Sequence, residues 1–391
     1  MDNPLQRRIP TVKYLRECAR RRAPRFAYEC GDGGAGDDTG IRRNWKALDD
    51  IEIVPRYGVM TALPQVDMEL FGHRYAAPIG VAPMGSPGII WPGADGYLAA
   101  AAQKKNVPYG LSTVSGLEIE RAGKIAPDVF WFQLYRLARN EHALGFDLIK
   151  RADAAGAHVL MLTLDVPVRT TRPREVAGGV TTPFRPDLRM LLSMLMSPGW
   201  LMSMWKHGHP RFANLRPYVG ERAGINEVAA FARNEMGGAF TWEEVERYRE
   251  RWKRPLVVKG ILHPADAEKA VALGVDGIVV SNHGGRQVDA LPAPIDCLPA
   301  IAAAVGNRAT VLMDSGIRSG SDVVRAVALG AKAAMAGKAF LWGLGALGSR
   351  GPDHVIDLLV AEVRAALGQI GARSLAEASS VVIRHPGAMH F

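Results

Sequence analysis

From about position 78 onward, the chain repeats one pattern. A short apolar run ends in small or polar residues, and a stretch rich in Ala and Leu with helical spacing follows. The runs lack the in-and-out alternation of a half-solvated strand, so both faces of each must be covered, as in a parallel sheet. They predict strands at 79–82, 109–112, 130–135, 159–165, 256–259, 277–281, 310–314 and 333–337. Eight strands alternating with helices predict an α/β chain closed into a (β/α)8 barrel, a TIM barrel. Ahead of it, 11–22 predicts a short basic helix, stopped at Pro24 and followed by a Gly/Asp-rich turn at 31–40. The run Arg20-Arg21-Arg22 reads as a solvated helix face.

One connection breaks the rhythm. Between the fourth strand and a helix starting near Trp242, about 75 residues (166–240) carry no clear repeat, too many for an ordinary βα loop. Their middle, 190–205, reads MLLSMLMSPGWLMSMW, without a charge, and is flanked by Arg185, Arg189, Lys206 and Arg211. Pro198-Gly199 divides it into halves far too short to span a bilayer. Two readings stand. The segment is a hydrophobic lid or subunit contact, or it is a monotopic anchor with apolar side chains in the interface and basic residues on anionic head groups. The whole is expected to be one domain, 1–391, with 166–240 inserted.

Composition narrows the picture. Of 391 residues, 48% are hydrophobic, ample for a large core. A formal charge of +9 suggests nucleic acid, an anionic membrane or an acidic substrate, depending on where the charge lies. The basic residues are spread out or flank the apolar segment, and no motif with aromatic stacking positions accompanies them, so no nucleic-acid partner is expected. Three cysteines, Cys18, Cys30 and Cys297, suggest neither a disulfide framework nor a metal cluster. With no secretory-like apolar stretch at the N-terminus, the protein is expected on the cytoplasmic side.

A barrel enzyme carries its chemistry where strands end. The sixth run opens GIVVSNHGGRQVD at 277–289. A lone loop histidine is by default structural. Here Gly284 and Gly285 allow close backbone approach, and Arg286 can grip a carboxylate through two parallel hydrogen bonds, which favours His283 as a base. Alternation puts Gln133 and Tyr135 on one face of the third strand, and Thr163 and Asp165 on one face of the fourth. Lys259, closing an apolar strand, needs a buried anionic partner. The runs 314–320 and 336–338, after the last two strands, offer backbone N–H groups and cations where barrels commonly bind phosphate.

SNHGGRQVD is similar to the signature of the FMN-dependent α-hydroxy-acid oxidase and dehydrogenase family, and the resemblance extends from about Ala23 to about Ser374. The long insertion after the fourth strand resembles that of the membrane-bound mandelate and L-lactate dehydrogenases. The resemblance implies the same barrel, bound FMN, a 2-hydroxy-acid substrate and a tetramer. It implies His283 as active-site base, Asp165 as its carboxylate partner, and Arg286 and Arg172 on the substrate carboxylate, although Arg169 and Arg174 lie beside Arg172. The same resemblance implies that Tyr135 touches the substrate and that Lys259 sits at the flavin edge that gains charge on reduction. It implies a flavin lined by Ala82, Pro83, Met84, Gly85, Ser112, Thr113, Gln133, Thr163 and Ser281, with Asp314, Gly316, Arg318, Gly337 and Lys338 expected at its phosphate end.

Three positions depart from the family pattern. Met84 replaces Thr, so only backbone contacts carry over. Lys338 replaces Arg and loses the bidentate fork. Cys30 replaces a Tyr that bonds the substrate carboxylate, which implies a bulkier substrate or heavier reliance on Arg172 and Arg286. Gly85, where oxidases often have Ala, is compatible with poor O2 reactivity. The expected activity is oxidation of an L-2-hydroxy acid to the 2-oxo acid, with electrons passing to a membrane quinone. An O2-using soluble oxidase and a non-catalytic flavin scaffold are the alternatives. Hydroxyl-proton removal with hydride transfer and α-proton removal through a carbanion are both compatible with these residues.

Overall fold

The computed structural model describes residues 4–58, 63–168, 170–180, 186–220 and 222–391. Arg169 and Arg185 therefore lie outside the described residues. All eight expected strands are present: β1 (Ile79–Val81), β2 (Tyr109–Ser112), β3 (Phe130–Leu134), β4 (Val159–Thr163), β5 (Leu256–Ile261), β6 (Gly277–Val280), β7 (Thr310–Met313) and β8 (Ala333–Ala336). Each pairs in parallel with the next, and β8 closes on β1. Nearly every strand residue is buried, as unalternated apolar runs require.

The ends differ slightly from the sequence reading. Ala82, Tyr135, Asp165, Ser281, Asp314 and Gly337 leave the ladder and begin the loops. β5 instead runs on to Ile261 through an irregularity between Lys259 and Ile261. Gly260 makes this possible. Its φ is +102°, and a Cβ there would lie 2.5 Å from the Cβ of Asp165, so only glycine lets the fourth and fifth strand ends close together.

Below the barrel, a hairpin of Met68–Leu70 and His73–Tyr75 covers the N-terminal mouth. Phe71 packs edge-on against Trp131 at 5.6 Å, and Trp131 Nε1 donates to Tyr75 Oη at 3.0 Å.

Five helices bear on the site: α1 (Val12–Arg22), α2 (Arg25–Asp32), α3 (Leu188–Leu195), α4 (Pro198–His207) and α5 (Lys338–Leu347). On α1, Val12, Leu15 and Ala19 are buried at helical spacing, while Arg20, Arg21 and Arg22 are exposed as expected. Gly345 of α5 lies so close to Ala19 that an added Cβ would sit 3.0 Å from it. This packing and α2 place the N-terminal segment over the C-terminal ends of β6 and β8.

The inserted segment is helical, which its irregular sequence did not suggest. It holds Pro173–Ala177, α3, α4, the turn Arg216–Tyr218 and Ile225–Glu235. Asp187 caps α3 by accepting from Met190 N at 2.8 Å, and Pro198 starts α4 at the position where a missing N–H costs nothing. Among the described residues, no helix is long and apolar enough to cross a membrane.

Candidate active site

The C-terminal strand ends surround a cavity of about 960 Å³, at the upper end of the usual range for ligand sites, about 300–1,000 Å³. Of the expected residues, Cys30, Ala82, Pro83, Met84, Gly85, Tyr135, Arg172, Lys259, His283, Arg286, Asp314, Gly316, Arg318, Gly337 and Lys338 line it. Asp165, Ser112, Thr113, Gln133, Thr163 and Ser281 lie behind that lining.

At the centre, His283 Nδ1 is 2.9 Å from Asp165 Oδ1. His283 has a left-handed backbone, φ +58°, a conformation that persists in a non-glycine residue only when its surroundings impose it. They do so through hydrogen bonds: His283 N donates to Ser281 Oγ at 3.0 Å, and Gly284 N to Ser315 Oγ at 2.9 Å. Asn282 and Asn44 exchange side-chain hydrogen bonds at 2.6 and 2.9 Å. Burial alone would raise the Asp165 carboxyl, but the charges of His283 and then Lys259 hold it below its ordinary value.

Lys259 has its buried anion within the protein. Its Nζ lies 2.9 Å from Asp314 Oδ2 and donates to Ser281 Oγ at 2.7 Å. Burial disfavours its charge, yet Asp314 and then Asp165 raise it overall, so the ammonium stays charged. Tyr135 is raised by burial and then by Asp165, and remains a protonated donor. Ser112 Oγ donates to Gln133 Oε1 at 2.9 Å, and Gln133 Nε2 donates to Thr163 Oγ1 at 2.8 Å, forming a buried polar row across β2, β3 and β4.

Three expectations need correcting. Thr113 does not face the cavity: its hydroxyl donates to the Gln133 carbonyl at 2.7 Å and accepts from Tyr135 N at 3.1 Å, fixing the end of β3. Lys338 reaches the cavity wall, but its ammonium donates to the carbonyls of Gly31, Asp32 and Gly33 at 3.2, 2.8 and 2.8 Å. It thus closes the C-terminus of α2, where partial negative charge gathers. Burial, and then Arg286, lower it well below its ordinary value. Arg286, expected to grip a carboxylate with both arms, gives Nη1 to the carbonyls of Cys30 and Gly33 at 3.0 and 2.7 Å.

Of the arginine cluster, Arg172 and Arg174 are described. Arg172 Nε donates to the Arg286 carbonyl at 3.1 Å, beside the cavity. Arg174 turns away to Glu29, Asp32 and Asp38. The sequence reading missed Glu175, which accepts from both Arg172 and Arg286. The Arg-x-x-Glu spacing on a helix starting at Pro173 was the signal available for it.

The insertion also contributes. Met194, Trp200, Met204 and Phe212 line the cavity, and Trp200 stacks edge-on against Phe26 at 5.7 Å. The opposite face is exposed and apolar: Leu188, Leu191, Leu192, Leu195, Met196, Met202 and Trp205, the last 90% exposed.

The FMN-dependent dehydrogenase family matches this chain over residues 19–385, nearly its whole length. The chain belongs to that family. An L-lactate dehydrogenase of Caulobacter vibrioides (strain NA1000 / CB15N) is 38% identical over 376 residues, covering 96% of this chain and 97% of that one. One from Pseudomonas syringae pv. syringae (strain B728a) is 36% identical over 378 residues, covering 96% and 98%. Among solved structures, the monotopic membrane protein (S)-mandelate dehydrogenase superposes with a TM-score of 0.91 at 33% identity, covering 96% and 99%. Mandelate oxidase with (S)-4-hydroxymandelic acid gives 0.82 at 33%, again covering 96% and 99%.

FMN is the family's cofactor, and the cavity suits it. Arg318 Nε is buried without a hydrogen-bond partner among the described residues, although it lies 3.7 Å from Asp322 Oδ2 and Arg318 Nη2 donates to Asp49 Oδ1 at 2.7 Å; it stands beside the Gly316 turn with its φ of +102°, a cation and a backbone bend at the barrel's usual phosphate position. Gly316, Arg318 and Gly337 would hold the phosphate end. The loop at Ala82, Pro83, Met84 and Gly85 would meet the ring from one side, and Lys259 would face its charge-gaining edge. At Gly85 an added Cβ would lie 3.1 Å from Val114 Cγ2, so an alanine there requires Val114 to shift.

Proposed function

We propose that this enzyme oxidises an L-2-hydroxy acid to the 2-oxo acid, and that it delivers the electrons to a quinone at a membrane surface. One observation carries the chemistry. The cavity wall presents His283, backed by Asp165 at 2.9 Å, between a tyrosine and two arginines. With Nδ1 held by the carboxylate, the other ring nitrogen is the one available as base.

Bound FMN supplies the two-electron acceptor. The residues do the rest. His283 takes a proton from the substrate, and Asp165 stabilises the imidazolium that results. Tyr135, a protonated phenol, donates to the substrate oxygen. Arg172, and the donors of Arg286 not committed to α2, fix the carboxylate. Lys259, kept charged by Asp314, stabilises negative charge at the edge it faces. α3 and α4 exclude water from one side.

The acceptor reading rests on the outer face of α3 and α4, a continuous apolar patch on two short helices, bordered by Arg189 and Lys206. The likeness in shape to a monotopic membrane dehydrogenase, closer than that to the mandelate oxidase at equal identity, supports it. Anaerobic titration of the purified holoenzyme with a panel of 2-hydroxy acids tests the chemistry, because bleaching of the flavin reports substrate and cofactor together. A flavin that no member reduces refutes the reading.

A further inference from the structure

Both arginines assigned above to the substrate already touch a carboxylate. Arg172 Nη1 lies 3.1 Å from Glu175 Oε1, and Arg286 Nη2 donates to the same oxygen. Glu175 is buried, and it lines the cavity. It also stands beside Cys30: after burial itself, the Glu175 charge contributes most to pushing the Cys30 thiol up to about 11. A small, feebly donating side chain and an anion therefore share one corner of the site. The described hydrogen bonds use Nε and Nη1 of Arg172 and both Nη atoms of Arg286. Arg172 Nη2 and Arg286 Nε are the nitrogens that none of these bonds uses.

We propose that Glu175 is a specificity-determining residue: it cancels one of the two arginine charges, so that the site accepts a monocarboxylate 2-hydroxy acid and disfavours a ligand bearing a second carboxylate. The inference rests on the assignment of Arg172 and Arg286 to the substrate carboxylate. The physical cause is repulsion between like charges sharing a desolvated site, where water screens them little.

Pyruvate and oxalate separate charge from size, since they differ by a methyl group against an oxyanion. Their dissociation constants are read from perturbation of the flavin absorption of the holoenzyme, in wild type, Glu175→Gln and Glu175→Asp. Glu175→Gln should tighten oxalate relative to pyruvate by about tenfold or more, while Glu175→Asp, which keeps the charge, should leave the ratio within about threefold of wild type. A residue needed only for shape would weaken both ligands together, and their ratio would not move. An unchanged ratio in Glu175→Gln overturns the proposal, as does an equal shift in Glu175→Asp. Loss of flavin from Glu175→Gln overturns it too, because Glu175 would then be a counter-ion that the fold itself requires. If 2-hydroxy acids reduce the wild-type flavin and the ratio stays fixed, only the filter fails. If no 2-hydroxy acid reduces it, the arginine assignment fails first and takes the filter with it.

Discussion

Replacing Asp165 with Asn isolates the charge behind the base. The side chain keeps its size and one acceptor oxygen for His283 Nδ1, while the charge at 2.9 Å is lost and the second oxygen becomes an NH2 donor. Both groups are largely sheltered, with 9% of the Asp165 side chain and 18% of that of His283 exposed, so solvent screens the pair only partly. Two unit charges about 4 Å apart at an effective dielectric of about 20 attract by about 4 kcal/mol. That attraction exists only while His283 is protonated, so nearly all of it is lost from the transition state. At about 1.4 kcal/mol per tenfold, flavin reduction should fall about a thousandfold.

The assay is anaerobic stopped flow at saturating substrate, with flavin content checked by absorbance. His283→Gln alone should cost about two to four orders of magnitude, the usual share of a positioned base. Because the two residues act as one unit, the double variant should be no slower than the slower single. A loss below tenfold in Asp165→Asn, or losses that multiply in the double variant, would refute the pairing. Stability gives a second reading. Asp165 is held below its ordinary value in the folded state, so its contribution is fully present above the unfolded value near 4 and disappears as pH falls through the folded one. The gap in thermal midpoint between wild type and Asp165→Asn should therefore narrow between pH 6 and pH 3.

Cys30→Tyr should shift kcat/KM toward small acids such as lactate and away from aromatic ones by about 1–3 kcal/mol, the scale of one pocket contact, and a uniform loss across sizes would assign the gap another cause. Gly260→Ala combines a φ of +102° with a clash against Asp165, so denaturant unfolding should show a loss of about 2 kcal/mol or more, while a change below about 0.5 kcal/mol would refute the close approach. Leu195→Glu with Trp205→Glu should abolish flotation with anionic liposomes and leave flavin reduction by substrate unchanged. A wild-type protein that stays soluble with such liposomes at every salt concentration and consumes O2 rapidly would sink both the anchor and the quinone.

The barrel was legible because a parallel strand buried on both faces leaves an uninterrupted apolar run, and β1 to β8 each left one. Strand ends were less legible, since Asp165 and Asp314 alternate correctly with the strand but have already left its ladder. The insertion hid its helices because they are short and because α3 and α4 are apolar on two faces, one against the cavity and one outward. Within the site, the motif at 281–286 carried His283 and Arg286, yet residue type does not reveal which way a side chain turns. Thr113 turns to the backbone, and Lys338 turns to the end of α2. Glu175 was missed because its partners lie 3 and 111 positions away, and only the fold brings Arg286 to it.

The insertion couples the two halves of the proposed function through one helix. Trp200 and Trp205 are five residues apart on α4, which at about 100° per residue sets them about 140° apart around the axis. The first is 2% exposed and lines the cavity, and the second is 90% exposed on the outer face. The wall between cavity and surface is therefore about one helix thick, roughly 10 Å. An acceptor lying in an interface against Leu195, Met202 and Trp205 would be separated from the cavity by that wall alone. A helix with only its inner face apolar would serve as a lid, and one with only its outer face apolar would serve as an anchor. α4 has both faces, so one helix can serve as cavity wall and as anchor, and charges placed on its outer face should remove membrane binding without opening the site.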